Sequence, residues 1–220
     1  MDFSDFYLAD LALDDAYFDW QWRPRNRPRA SLTLLSPPTA EPVTLADAKN
    51  FLRVDVTDDD ALIGDLLIAA RQTVEAYCGR ALVTQTWRLA LDAWPRGGMI
   101  SLPVAPFQSF VGARTLDPTG AATALDPTTY VLDSSPEVAR IVFSQRPPEL
   151  QRVAAGVQVD WIAGYGPAPT DPPAALRLAI RSLVASWYED RGDQDFDAAA
   201  GRVPRAVAAA LAPYRRTRLK

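Results

Sequence analysis

The sequence predicts an α+β fold, mainly α: a helical bundle with an inserted small antiparallel β-sheet, plus an extended N-terminal arm and a C-terminal tail helix. Three observations predict it. Apolar residues recur at helical spacing over residues 44–79 and again over 172–190. Between those stretches the period falls to two, with proline and glycine turns separating short runs. The two ends of the chain carry opposite charge, and neither has the pattern of an ordinary buried element.

In chain order, residues 1–42 read as an N-terminal extension, acidic and aromatic at first, then Arg/Pro-rich from Trp22 to Arg29. That Arg/Pro stretch cannot form a regular helix. A helix over 44–54 follows, opened by Thr44 and Asp47 at capping-box spacing. A longer helix over 58–79 begins with Asp58, Asp59 and Asp60, whose charges complement the helix dipole. Its stripe is Ile63, Leu66, Leu67, Ala70, Val74 and Tyr77, and Gly79 supplies its stop. From about residue 84 to 164 strands are expected, beginning with Trp87, Leu89 and Leu91 alternating with polar neighbours. Asp117-Pro118-Thr119-Gly120 is a tight turn. A helix over 172–190 places Leu176, Ile180, Val184, Trp187 and Tyr188 on its core face. Residues 43–191 thus form the main domain, 192–202 a polar linker, and 203–220 a tail helix with a basic end.

The 220 residues are 48% hydrophobic and 23% charged, enough to build a core. No run approaches the ~18 apolar residues of a membrane helix, and no membrane partner is expected. Asp2 and Asp5, without an early Lys or Arg, read against a signal peptide. The single cysteine, Cys78, excludes an internal disulfide and fits a reducing compartment. There is no histidine, so Ser-His-Asp and Cys-His catalysis are excluded within the chain, and a zinc site lacks its usual ligands. No enzyme activity, cofactor or metal is expected.

Charge is unevenly placed. Residues 1–19 hold six acids and no base, residues 202–220 hold six bases and no acid, and the body between carries the net −4. An acidic body is a poor general nucleic-acid binder. Asp58-Asp59-Asp60 could be a cation site, but a dipole-complementing first turn explains it without metal. Cys78 reads as a small core residue, and Trp187 to Arg191 as core aromatics followed by solvated charge. Asp160 beside Trp161 reads as a solvent-facing strand position.

Two segments invite a partner. Val203, Val207, Ala210, Leu211 and Tyr214 form a thin apolar stripe, followed by Arg215, Arg216, Arg218 and Lys220; helices of this kind often find a groove on another protein, which is the favoured reading, the alternative being that it packs back on its own domain. Phe3, Phe6, Tyr7, Tyr17, Phe18, Trp20 and Trp22 are too many aromatics for a purely solvated tail, so they suggest an inter-subunit arm.

An ordered set of strings carries a family resemblance. Val43-Thr44-Leu45-Ala46-Asp47-Ala48-Lys49, Leu52-Arg53-Val54-Asp55 and Asp59-Asp60-Ala61-Leu62-Ile63 open the domain. Ala69-Ala70-Arg71 and Val74-Glu75-Ala76-Tyr77-Cys78-Gly79-Arg80-Ala81-Leu82 close the long helix. Leu102-Pro103-Val104-Ala105-Pro106 lies in the insertion, and Ala163-Gly164-Tyr165-Gly166 precedes the helix ending Trp187-Tyr188-Glu189-Asp190-Arg191. Over residues 43–191 this resembles the head–tail connector (adaptor) proteins of long-tailed phages and gene transfer agents.

The resemblance implies a helical bundle with a β insertion and a ring, dodecameric, docked below a portal protein. That ring joins capsid to tail, meets a stopper or other tail-side neck protein on its far side, and lets DNA pass. It implies a place in the neck of a virion or gene-transfer-agent particle, assembled in the bacterial cytoplasm. In the family the C-terminal segment reaches into the portal, which assigns that role to Val203, Val207, Leu211, Tyr214, Arg215, Arg216 and Arg218 by position. The rival readings are a stopper or other neck protein, a DNA-binding module using the basic tail, and a carboxylate-dependent hydrolase.

Overall fold

A computed structural model describes residues 30–189 and 203–216. The chain divides into two compact units, one from residues 1–37 and 85–163 and one from residues 38–84 and 164–220.

Among its described residues the first unit is β apart from one 3-10 turn at Pro127–Thr129. Its strands are β1 (Ala30–Ser36), β2 (Gln85–Leu91), β3 (Met99–Ser101), β4 (Phe107–Leu116), β5 (Ala122–Ala124), β6 (Tyr130–Asp133), β7 (Arg140–Phe143) and β8 (Val157–Ala163). They form a five-stranded sheet in the order β1-β2-β8-β4-β5 and a three-stranded sheet in the order β3-β7-β6, and every pairing is antiparallel. Alternation decides which face is buried. Gln85, Trp87, Leu89 and Leu91 of β2 turn inward, opposite Ala163, Trp161, Val159 and Val157 of β8. Trp161 is wholly buried, and its indole N–H donates to the Val104 carbonyl, so the ring's one polar group is satisfied. The three-stranded sheet adds Ile100 and Ile141 to the interior. Edge-to-face contacts run from Trp94 to Phe143, Phe143 to Tyr130 and Tyr130 to Phe110, tying that sheet to β4.

The second unit is helical: α1 (Leu45–Leu52), α2 (Asp60–Cys78), α3 (Ala174–Glu189) and α4 (Arg205–Leu211), the last running on into a 3-10 turn at Ala212–Tyr214. Thr44 caps α1 by accepting from the Asp47 N–H, and its hydroxyl donates to the Asp47 carboxylate. Arg53, at φ 59°, turns the chain out of α1. Gly79, at φ 66°, ends α2 in the left-handed region that glycine adopts without strain. The core joins Ile63, Leu67, Ala70 and Val74 of α2 to Leu176, Ile180, Leu183, Val184 and Trp187 of α3. Gly164 is obligatory for a different reason. Its φ is +135°, and a Cβ there would lie 2.6 Å from the Val83 backbone.

This corrects the expected fold class. The chain is not a mainly helical bundle with a small inserted sheet: its described residues are 32% helical and 27% strand, with four helices and eight strands in two antiparallel sheets among them. The expectation undercounted strand because two strands leave little local trace. β1 lies in a segment read as an extension, and its sequence, Ala-Ser-Leu-Thr-Leu-Leu-Ser, buries only Leu32. Its pairing comes from β2, some fifty residues away. β5 is Ala-Thr-Ala, exposed throughout, and exists because β4 offers it an edge. Long-range pairing, not intrinsic preference, makes both.

Candidate functional site

The segment expected to dock on a partner is held by the helical unit itself. Val207 and Leu211 of α4 are buried in the same core as α2 and α3, with Leu211 wholly inaccessible, and Val203 and Tyr214 pack at its margin. Polar contacts fix the end of the segment. Arg80, just past α2, donates from Nε to the Tyr214 carbonyl at 2.5 Å. The Arg216 amide donates to the Cys78 carbonyl at 3.0 Å, one of the carbonyls left over where α2 ends. The Arg215 guanidinium lies 5.5 Å from the centre of the Tyr77 ring. Thus Val203, Val207, Leu211, Tyr214, Arg215 and Arg216 are brought together, while Arg218 and Lys220 lie outside the described residues. What α4 leaves exposed is Arg205, Ala206, Ala209 and Ala210, followed by Ala212, Pro213 and Arg215.

The arm residues Phe3, Phe6, Tyr7, Tyr17, Phe18, Trp20 and Trp22 also lie outside the described residues, as does the 192–202 linker.

Two other features have chemistry that sequence alone misjudges. Asp160 is not solvent-facing: it is 4% exposed, because two guanidiniums cover it. Arg88 of β2 grips both its oxygens, at 2.7 and 2.8 Å, and Arg114 of β4 adds a bond at 3.0 Å while also reaching Gln158. Burial pushes the Asp160 carboxyl up, but the Arg88 bonds and both positive charges outweigh that and hold it below the usual carboxylate range. The alternation of β2 already put Arg88 on the polar face; the register that sets it opposite Asp160 is a tertiary fact. The second feature is Glu75, buried in α2. It accepts from Arg71 at 2.7 Å and from the Leu82 amide at 2.8 Å, while Arg71 also bonds Glu41 at 2.8 Å. Both clusters are ion pairs that lock backbone segments together.

Asp59, of the acidic run, precedes α2 and accepts a hydrogen bond from Tyr188 of α3. Among the described residues, no group of three or more His, Cys, Asp or Glu could hold a metal ion, and no helix is long and apolar enough to cross a membrane. Trp187 sits in the core, and Cys78 is buried, with burial pushing its thiol up to about 11.

Comparison with known proteins points to a class. Residues 42–106 match the family described as Phage gp6-like head-tail connector protein. A solved structure of the neck of an empty gene transfer agent (GTA) particle, computed with C6 symmetry, contains a chain 28% identical; it covers 86% of this chain and 97% of its own length, with a TM-score of 0.73. The virion of a native gene transfer agent particle contains one at 26% identity and a TM-score of 0.70, with the same coverage. The neck of a native GTA particle, computed with C12 symmetry, contains one at 27% and 0.69, again over 86% and 97%. No curated protein matches. The chain is thus similar to structural neck components of the head–tail connector type. Among such components, it is chains from the necks of gene transfer agent particles that it resembles along most of its length.

Proposed function

We propose that this chain is the head–tail adaptor of its particle, and that its copies form a ring below the portal that joins capsid to tail and lets DNA pass. The observation that carries this reading is a shared fold with gene-transfer-agent neck chains at 27–28% identity over 86% of the sequence, in necks computed with C6 or C12 symmetry. A dodecamer is compatible with both symmetries. The role is structural, and no residue is assigned a catalytic one.

The C-terminal segment remains the proposed portal contact, in a form its packing dictates. Val207 and Leu211 are occupied by the helical core, so α4 is presented as a rigid, preformed element. Its outer face and the basic end beyond it, Arg215, Arg216 and Arg218, are what a portal would meet. A concentrated positive end suits an acidic portal surface, and electrostatic complementarity raises encounter rate and fixes register. The tail-side face would receive a stopper or other neck protein. The aromatic arm is proposed to contact a neighbouring subunit. Assembly is proposed to take place in the bacterial cytoplasm.

The test is reconstitution with the portal protein encoded beside this chain, using the full chain and a chain lacking residues 203–220, with imaging by electron microscopy. A ring under the portal that is lost with the truncation supports both the adaptor role and the C-terminal contact. A ring that survives keeps the role and moves the contact elsewhere. No association with the portal overturns the adaptor reading in favour of a stopper or another binding module.

A further inference from the structure

Phe51 at the end of α1 and Leu178 on α3 are 45% and 50% exposed, although each belongs to a well-packed helix. Between them lies Arg181. Its guanidinium carbon sits 5.8 Å from the centre of the Phe51 ring, and it follows Leu178 by three residues, which puts the two side by side on α3. The Nε of Arg181 is buried without a hydrogen-bond partner, and among the described residues no carboxylate pairs with this guanidinium. The one acid of α1, Asp47, is engaged by Thr44, and α3 carries no acid before its final residue, Glu189. The result is an apolar, aromatic patch with an uncompensated positive charge at its centre. An exposed cation–π pair of this kind gains little by itself and gains more once desolvated.

A ligand for such a patch must bring a carboxylate and an aromatic or apolar side chain close together. Within this chain one segment has that chemistry. Residues 1–22 contain Asp2-Phe3, Asp5-Phe6 and Asp19-Trp20, each an acid directly beside an aromatic, and the first nineteen residues hold six acids and no base. The segment lies outside the described residues and leads into β1. Twenty-nine residues precede that strand, enough to span up to ~100 Å when extended. We propose that the acidic aromatic segment, residues 1–22, docks on the Phe51–Arg181–Leu178 patch of a neighbouring copy. The carboxylate pairs with the guanidinium while the aromatic covers Phe51 and Leu178. This deepens the ring reading, on which it rests, by naming the surface that receives the arm. A head-to-tail contact of this kind, arm to patch, is heterologous, the type of contact that builds a ring when its rotation closes.

Cross-linking between full-length copies tests it. In a Cys78→Ala background, one pool carries Phe6→Cys and a second, distinguished by mass, carries Ser182→Cys, one residue beyond Arg181. The pools are mixed at high concentration and treated with a short bismaleimide. The expected product is a dimer between pools, in roughly tenfold excess over a control in which the second pool carries Val131→Cys on the β unit instead. Arg181→Glu in the second pool is expected to remove the excess, and Asp2→Lys with Asp5→Lys in the first pool to restore it, which separates lost docking from lost folding. A yield no higher than the control, indifference to Arg181→Glu, a loss that the charge swap does not restore, or cross-linking confined to copies of the same pool each overturns the proposal. Ring formation on the portal is scored separately by electron microscopy. A ring without the cross-link sinks the arm and keeps the adaptor; the cross-link without a ring does the reverse.

Discussion

Arg80 reaches across 134 residues of sequence to hold the carbonyl of Tyr214, and the next residue but one, Arg216, returns a bond to Cys78. Together these fasten the C-terminal segment onto the end of α2. This segment is part of the subunit's own core, so its sequence is constrained by folding as well as by any partner.

Leu211 should therefore behave as a core residue. Leu211→Ala removes a wholly buried side chain and is expected to cost about 2–5 kcal/mol. Thermal unfolding gives the total. Hydrogen exchange should show α4 losing protection before α2 and α3, since α4 is a single short helix at the margin of the cluster.

Cys78 reports on the same contact. Burial pushes its thiol up to about 11, against the opposing charges of Arg80 and Arg215, so little thiolate exists at neutral pH. Maleimide labelling of the native chain at pH 7 should be slow. Deleting residues 203–220 should accelerate it by roughly tenfold or more, because the thiol gains access. Equal rates would mean that the segment does not shield α2 in solution.

Asp160 predicts an acid limb in stability. Its carboxyl is held below the ordinary range, so it stabilises the fold above about pH 4 and loses that contribution as the pH falls through the depressed value. Asp160→Asn should lower stability at neutral pH by about 2–3 kcal/mol, the scale of charge-assisted bonds. It should also flatten the acid limb between pH 4 and the lowest pH reached, relative to the parent. Urea melts across pH 2–7 for both proteins measure this.

Glu75 and Arg71 are a buried pair, both under a tenth exposed. Glu75→Ala strands the Arg71 guanidinium with Glu41 alone and leaves the Leu82 amide without its acceptor. The expected loss is about 3–5 kcal/mol. Glu75→Gln, which keeps an acceptor for Leu82, should cost less. Denaturant melts of both variants give the comparison, and an equal loss would assign the effect to charge rather than to the amide bond.

Part of the architecture is legible locally. Ile63, Leu67, Ala70 and Val74 announce a buried helix face by spacing alone, and Gly79 its end, because helix periodicity and left-handed glycine depend on neighbours in sequence. Trp87, Leu89 and Leu91 announce a half-buried strand for the same reason. The proposed surfaces are less legible. Arg181 shows no sign in sequence of stacking on Phe51, which lies 130 residues earlier and on another helix. Asp160 shows none of being gripped by Arg88 and Arg114, which β2 and β4 bring to it from either side.

By itself, then, the sequence determined the periodic elements, the opposite charges at the chain ends, the absence of histidine, and the ordered strings shared with head–tail connectors. Tertiary structure alone decided the balance of strand and helix, since β1 and β5 exist only by pairing with distant partners. It also decided that Val207 and Leu211 lie within the chain's own core rather than at its surface. The physical reason is common to both. Local patterns record which side chains avoid water, but a strand edge or an apolar stripe is completed by whichever surface folding brings to it, and that surface is written elsewhere in the chain.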